Sequence, residues 1–259
     1  MKPDISEFSY AFALTSELID KYSLMLTGAP IFPSLYSEGQ AGGGYDVQIP
    51  RRGIPVFLQF KLSHCMVTRN ASEADLLDVP YFRMLLRPLK RSKQHQLLLE
   101  LEQKGNEVYY AAPEFSSPHE LNSAYLRREV SARTAFFTPI AIGPLPDDGE
   151  HHVVFLPEST YGYLCSARKR IDRESAPAIF EDRLPDLARS PDARVIDSEF
   201  FLGIGDELSF IYEQIQPLRD QELTFLRRLR YEREPVRYAE YMSRTLFDCE
   251  FLVAYAQRG

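Results

Sequence analysis

Apolar residues recur at helical spacing near the start of the chain, at Phe8, Phe12, Leu14, Leu18 and Ile19. This spacing predicts a helix over residues 6–23, because side chains three or four positions apart share one face of a helix. Ser6 is the predicted N-cap, since its hydroxyl can accept a hydrogen bond from a free backbone N–H of the first turn.

A strand-like pattern follows a glycine-rich stretch at residues 39–44. Alternation over residues 56–62 predicts a strand with one wholly apolar face. The members of that face are Val56, Leu58, Phe60 and Leu62. Residues 45–49 predict a shorter strand. The segment between the two strands, 50–55, contains two prolines and a glycine and predicts the connection of a β-hairpin.

Further signals predict an alternation of helices and strands. A helix is predicted over residues 92–104, with Gly105 after its last turn, and another helix begins after the N-cap Ser117. Strands are predicted at 107–112, 136–142 and 152–155, and helices over 198–216 and 217–258. This order predicts a mixed α/β architecture. The stretch 172–197, rich in Pro, Asp and Arg, is the predicted loop or linker.

Composition narrows the class of protein. The chain has 259 residues, 44% of them hydrophobic, and a net charge of −7. These values are typical of a folded globular protein and argue against a protein that coats nucleic acid nonspecifically. No apolar run reaches the roughly 20 residues that span a bilayer, and the first residues lack an apolar signal core. We therefore expect a cytoplasmic protein without a membrane partner.

The polar face of the predicted strand carries the candidate chemistry. Gln59 and Lys61 alternate with the apolar residues and share one face. In a hairpin of natural register, Asp46 from the neighbouring strand joins them. A carboxylate and an amide oxygen suit Mg²⁺, and an ammonium group can stabilise charge on a phosphate. The three residues together predict metal-assisted phosphodiester hydrolysis.

Asp46, twelve intervening residues and then Gln59-Phe60-Lys61 resemble the motif of the PD-(D/E)XK nuclease superfamily, in its Gln-x-Lys variant. The order of predicted elements over residues 6–142 is also similar to the core of that superfamily. The resemblance implies a restriction-endonuclease-like core, an α/β fold with a mixed central sheet flanked by helices. We expect that domain, with added strands, to comprise residues 1–171. The helical pattern after the predicted linker separately predicts a helical C-terminal extension over residues 198–259.

The same resemblance implies a function. It indicates a nuclease that hydrolyses nucleic-acid phosphodiester bonds, with DNA as the expected substrate and Mg²⁺ or Mn²⁺ as cofactor. In this superfamily an acidic residue of the first helix often joins the metal site, and Glu17 fits that position. Glu38, eight residues before Asp46, is the rival. Anti-phage defence and repair are the bacterial settings that the resemblance suggests.

A basic segment precedes the predicted helix 92–104. Its members are Arg83, Arg87, Lys90, Arg91 and Lys93, followed by Gln94, with no acidic residue among them. In the resembling fold this helix follows the catalytic strand and lies near the site. We therefore expect the segment to contact nucleic-acid phosphates.

Two other functions stay open at this stage. Because Gln59 replaces the usual acid, the chain could be a catalytically inactive nuclease-like module that binds nucleic acid or a protein. Alternatively, the helices of residues 198–258 could form the contact of a homodimer, in an interaction protein. An inactive module would show no metal-dependent cleavage. A homodimer would be recognised by its size in solution.

Overall fold

The fold is built around one long strand, β2 (Ile49–Phe60), which pairs with three other strands. A computed structural model describes the chain over residues 2–22, 24–26, 49–69, 73–231 and 234–255. Within these ranges the chain forms a larger mixed sheet, a smaller antiparallel sheet and helices around both. The predicted α/β class with a mixed central sheet flanked by helices is confirmed.

The larger sheet contains both parallel and antiparallel pairs. Its strands, besides β2, are β1 (Leu24–Leu26), β5 (Glu107–Pro113), β6 (Thr134–Phe137), β10 (Arg194–Ile196) and β11 (Glu250–Tyr255). Their order is β1-β11-β2-β5-β6, and β10 pairs with the first half of β2. The pair β2–β5 is parallel, whereas β10 and β11 run antiparallel to β2.

The smaller sheet continues directly from the end of β2. Its strands, in the order β3-β4-β7-β8-β9, are β3 (Ser63–Met66), β4 (Tyr81–Leu86), β7 (His151–Phe155), β8 (Tyr161–Leu164) and β9 (Lys169–Asp172). All of its pairs are antiparallel. The chain passes from one sheet to the other through the two residues Lys61 and Leu62.

Helices cover both faces of the larger sheet. The helices are α1 (Glu7–Lys21), α2 (Gln94–Gln103), α3 (Pro118–Arg127), α4 (Pro139–Ile142), α5 (Leu184–Arg189), α6 (Ser198–Ile215), α7 (Asp220–Tyr231) and α8 (Pro235–Tyr241). Two π-helical segments, Ala178–Arg183 and Met242–Leu246, precede α5 and follow α8. Ser6 caps α1, and Ser117 and Glu120 form a capping box on α3, as their sequences predict.

The two faces of β2 enter different cores. Val56, Leu58 and Phe60 pack with α1 in one core. Phe57, on the opposite face, packs with α2, α6 and the smaller sheet in the other. The predicted apolar face of this strand is therefore confirmed. On the opposite face, Gln59 and Lys61 follow Phe57 and point toward α2.

The predicted hairpin connection over residues 50–55 is wrong. These residues lie inside β2, and Gly53 pairs with both Arg194 and Tyr255. A Cβ atom at Gly53 would stand 2.7 Å from the Ala254 carbonyl oxygen and 2.9 Å from the Ile196 side chain. The glycine therefore permits close approach of strands on both sides and does not form a turn.

Three further expectations are corrected. The predicted strand 136–142 is split, because Pro139 begins α4 under the N-cap Thr138. The predicted loop 172–197 contains a π-helical segment, α5 and β10. The C-terminal segment is helical as expected up to residue 246, but it ends in β11, which is a strand of the larger sheet.

Over its described residues the chain contains no helix with the length and apolar content that crossing a membrane requires.

Two glycines of α6 offer a matched test of packing against α8. A Cβ at Gly205 would stand 2.3 Å from the ring of Tyr238, a buried residue. A Cβ at Gly203 would meet only the end of the Arg194 side chain, at 3.3 Å. We expect Gly205→Ala to lower the free energy of unfolding by about 1–3 kcal/mol through overpacking. Gly203→Ala should leave it unchanged or raise it by up to about 1 kcal/mol, because Ala favours helix over Gly.

Urea unfolding of the two variants beside the wild type measures both changes. Equal effects of the two substitutions would contradict the contact between α6 and the Tyr238 ring.

Candidate functional site

Lys61 lies in the interior at the end of the central strand. Its backbone N–H donates to the Ala111 carbonyl at 2.9 Å, which extends the parallel pairing of β2 with β5. The side chain points toward α2, and the residue is only 5% exposed. Burial lowers the pKa of the Lys61 ammonium to about 8, although the negative charge of Glu7 opposes this shift.

Gln94, the first residue of α2, connects Lys61 with Gln59. The Lys61 Nζ donates to Gln94 Oε1 at 2.7 Å, and Gln94 Nε2 donates to Gln59 Oε1 at 2.5 Å. Gln59 Nε2 in turn donates to the Phe60 carbonyl at 2.9 Å. All three polar side chains are buried. We call Gln59, Lys61 and Gln94 the Lys61 site.

Three charged residues surround the Lys61 site. Arg87, after β4, forms an ion pair of 3.1 Å with Asp248, before β11. The Asp248 carboxylate also accepts from Gln94 Nε2 at 2.8 Å. Glu7, in the first turn of α1, is half-buried. Burial raises the pKa of the Glu7 carboxyl, and the nearby charges of Lys61 and Arg87 oppose that rise.

Of the residues predicted from the motif, the structure brings Gln59 and Lys61 together with Gln94. Asp46 and Glu38 lie outside the described residues. The hairpin that would have carried Asp46 to this face does not form as predicted, because residues 49–60 are one continuous strand.

Glu17 is not at the Lys61 site. Its carboxylate accepts hydrogen bonds from the backbone N–H groups of Val130 and Ser131, at 2.8 and 3.1 Å. It also accepts from the Ser131 hydroxyl at 2.5 Å and from Lys21 Nζ at 2.9 Å. Glu17 therefore joins α1 to the loop after α3. Glu7, about three helical turns earlier, is the acid of α1 whose charge acts on Lys61.

The hydrogen bonds of Glu17 predict a stability that depends on pH. Burial by itself raises the pKa of this carboxyl, but the bonds from Lys21, Ser131 and Val130 outweigh it and the pKa is lowered. The stabilisation is therefore fully present above the ordinary value of 4.5 and is lost as the pH falls through the lowered pKa. We expect Glu17→Gln to cost about 1–3 kcal/mol at pH 7.

Urea unfolding at pH 7 and at pH 3 measures this dependence. The difference between wild type and Glu17→Gln should shrink at the lower pH. Glu129→Gln, in the same loop but paired with Arg127 in an exposed contact, is the control and should change the free energy little. A constant Glu17 effect at both pH values would contradict the assignment.

The basic segment of residues 83–93 borders the site only in part. Arg87 lies at its edge through the ion pair with Asp248. Arg83 is on the smaller sheet and donates to Glu73 at 2.9 Å, so its charge is already neutralised. Lys90 and Arg91 lie on the turn before α2, and both are exposed. Half-buried Lys93 occupies the N-cap position of α2.

The sequence-based hypothesis missed Glu7 and Asp248. Glu7 could have been considered from the sequence, because it directly follows the predicted N-cap Ser6 and is an acidic residue of the predicted first helix. For Asp248 no local signal existed, because its partner Gln94 is 154 positions away.

A metal ion at the Lys61 site would need oxygen ligands from the side chains around it. Among the residues that the structure describes, no group of three or more His, Cys, Asp or Glu side chains could hold one. The Lys61 site itself supplies one amide oxygen, from Gln59, which accepts from Gln94, and the surrounding carboxylates are those of Asp248, paired with Arg87, and Glu7. Carboxylate and amide oxygens are donors of the kind that Mg²⁺ takes, with water and substrate phosphates completing its shell.

Comparison of the chain with protein-family models, with curated proteins and with solved structures gives no match. The fold and the geometry of the Lys61 site therefore stand on the structure alone. They define a mixed α/β protein with a buried lysine at the end of its central strand, hydrogen-bonded to Gln94, which in turn donates to Gln59.

Proposed function

We propose that this protein is a metal-dependent nuclease that hydrolyses phosphodiester bonds of nucleic acid, with DNA as the substrate. The observation that supports the proposal is the buried Lys61 ammonium, which donates to Gln94 beside Gln59 and is influenced by the charge of Glu7. Burying a charge is costly, and a protein that needs only stability gains nothing from an ammonium at this point. A perturbed pKa in such a cluster is typical of functional sites.

Gln59 and Glu7, with Asp46 as the motif suggests, would hold Mg²⁺ in this proposal. The ion would supply a polarised phosphate and a more acidic water. Lys61 performs the chain's own part of the reaction. One N–H of its Nζ is used by Gln94, and the others can donate to a phosphate oxygen or a water. Because its pKa is about 8, part of the population is neutral near neutral pH and can accept the proton of an attacking water.

Nucleic acid as the substrate is supported by positive charge next to the site. Lys90 and Arg91 lie exposed on the turn before α2, whereas the charge of Arg87 at the edge of the site is balanced by Asp248. Since the chain as a whole is acidic, with a net charge of −7, binding must depend on such a local patch. Roles in anti-phage defence or repair belong to the same proposal.

Replacing Arg91 and Lys93 by Ala together tests this patch. Affinity should fall, and the slope of log affinity against log salt should become shallower by roughly one unit for each phosphate that these side chains neutralise. Fluorescence anisotropy with a labelled duplex, at several salt concentrations, measures both quantities. The control is Arg127→Ala with Arg128→Ala, two exposed arginines at the end of α3. Unchanged affinity and slope in the Arg91/Lys93 variant would make this turn an ordinary solvated surface.

One observation favours a catalytically inactive binding module as the second candidate. The Gln59 amide oxygen already accepts from Gln94, so a metal ion must share or displace that hydrogen bond. An acid at position 59 would offer a charged ligand, and its absence weakens the site for a cation.

A cleavage assay decides between the two. Purified protein is incubated with plasmid, linear duplex and single-stranded DNA or RNA, with Mg²⁺, Mn²⁺ or excess chelator. The nuclease proposal expects metal-dependent cleavage that chelator abolishes. Binding without cleavage at any metal concentration would overturn it in favour of the inactive module. Cleavage that persists undiminished in chelator would refute the metal requirement.

A further inference from the structure

Asp248 lies at a tightly built turn before β11. Its backbone adopts the left-handed conformation, with φ of 56°. Among residues other than glycine, Asp and Asn adopt this conformation most readily. Ser243 closes the turn, because its carbonyl accepts from Cys249 N at 3.0 Å and its hydroxyl donates to the Cys249 carbonyl at 2.9 Å. The backbone of this turn therefore places Asp248 at the site, where its carboxylate contacts Arg87 and Gln94.

The Asp248 carboxylate and the Gln59 amide oxygen, which both accept from Gln94 Nε2, together fix which way the Gln94 amide faces. A carboxylate only accepts hydrogen bonds, whereas an amide accepts at its oxygen and donates at its nitrogen. Gln94 Nε2 donates to Asp248 Oδ2 at 2.8 Å, and this leaves Gln94 Oε1 facing Lys61 Nζ at 2.7 Å. If the amide turned over, its N–H groups would face the Lys61 ammonium and its oxygen would face the carboxylate. Both of those contacts are repulsive.

We propose that Asp248 is a positioning residue of the Lys61 site and acts through the amide of Gln94. Arg87 balances its charge from the other side, at 3.1 Å. The C-terminal segment thereby takes part in a site whose other members come from the first half of the chain. As far as catalysis is concerned, this inference rests on the proposed nuclease function.

The first test needs no activity. In Asp248→Asn the turn keeps a residue that tolerates the left-handed backbone, but the obligatory acceptor is lost. In Asp248→Gly the backbone is kept and the side chain is removed. The readout is the side-chain ¹⁵N–¹H signals of Gln94, assigned by their loss in Gln94→Met. We expect both Asp248 variants to shift these signals and speed their exchange with solvent. Asp20→Asn, an exposed residue paired with Arg128, is the control and should leave them unchanged. Unchanged Gln94 signals in both Asp248 variants would overturn the inference.

The second test measures cleavage. Asp248→Asn should lower kcat by about 10-fold with KM unchanged, a loss typical of residues that orient a functional group. In a Gln94→Met background the same substitution should cause no further loss. An equal loss in both backgrounds would overturn the route through Gln94. If the wild type does not cleave, the nuclease proposal fails, and the Gln94 signals still decide the role of Asp248.

Discussion

On the proposed nuclease function, Lys61→Met is expected to abolish metal-dependent cleavage while the protein stays folded. The substitution keeps the length of the side chain and removes its charge and its hydrogen-bond donors. Loss of a group that moves protons or stabilises charge costs roughly 10² to 10⁴ in rate. The same change relieves the cost of a buried ammonium, which offsets the missing donor to Gln94 Oε1. The free energy of unfolding should therefore be maintained or raised.

Cleavage rates and urea unfolding measured on the same preparation check both halves of this prediction. Lys104→Met is the matched control, since Lys104 is an exposed lysine at the end of α2. Cleavage by Lys61→Met at the wild-type rate would exclude a catalytic role for Lys61. A rate loss that only accompanies unfolding would indicate a structural role.

Arg173→Met is expected to cause the largest loss of stability, about 3–5 kcal/mol. Arg173, after β9, forms an ion pair of 2.5 Å with Glu114, after β5, and both side chains are buried. Glu114 Oε1 also accepts from the backbone N–H of Glu158 at 2.9 Å. Removing the arginine leaves a buried carboxylate without its counter-charge. Because the pair joins the smaller sheet to the larger one, the loss should appear in global unfolding.

A double-mutant cycle tests this pair. Glu114→Leu alone should be similarly destabilising, because it leaves the arginine unpaired. The double variant should be much more stable than the sum of the two single changes implies, since no charge is left buried alone. Additive effects would mean that the two side chains act independently. Arg189→Met, which breaks an exposed pair with Asp186, should change the free energy by less than about 1 kcal/mol.

Local sequence signals were sufficient for α1, α2 and the start of α3 and insufficient for the centre of the sheet. Ser6 and Ser117 cap their helices through contacts three residues away, which a short window of sequence contains. Gly53 and the prolines at positions 50 and 55 favour a turn in the same kind of window. Their strand conformation comes from pairing with β10 and β11, more than a hundred positions later in the chain.

The same distinction applies to the candidate site. Alternation along one strand placed Gln59 and Lys61 on one face, and both side chains contact Gln94 in the structure. The sequence predicted Glu17 as the acidic residue that α1 contributes to the site. A position in a helix does not by itself tell which helical turn approaches the end of a strand. Which acid acts on Lys61 depends on how α1 packs on the sheet. In the structure, Val130 and Ser131 donate hydrogen bonds to Glu17, and Glu7 is the acid whose charge acts on Lys61.

The pairing of β11 with β2 has a consequence for biosynthesis. Glu250 lies opposite Leu58, so the central strand acquires one of its neighbours only when the last part of this sequence has been translated. At a synthesis rate of about 5–20 residues per second, the edge of β2 that pairs with β11 stays unpaired for on the order of ten seconds or more after β2 is synthesised. An apolar strand with an open edge is prone to pair with other chains. The nascent chain is therefore expected to depend on chaperones until residues 250–255 emerge.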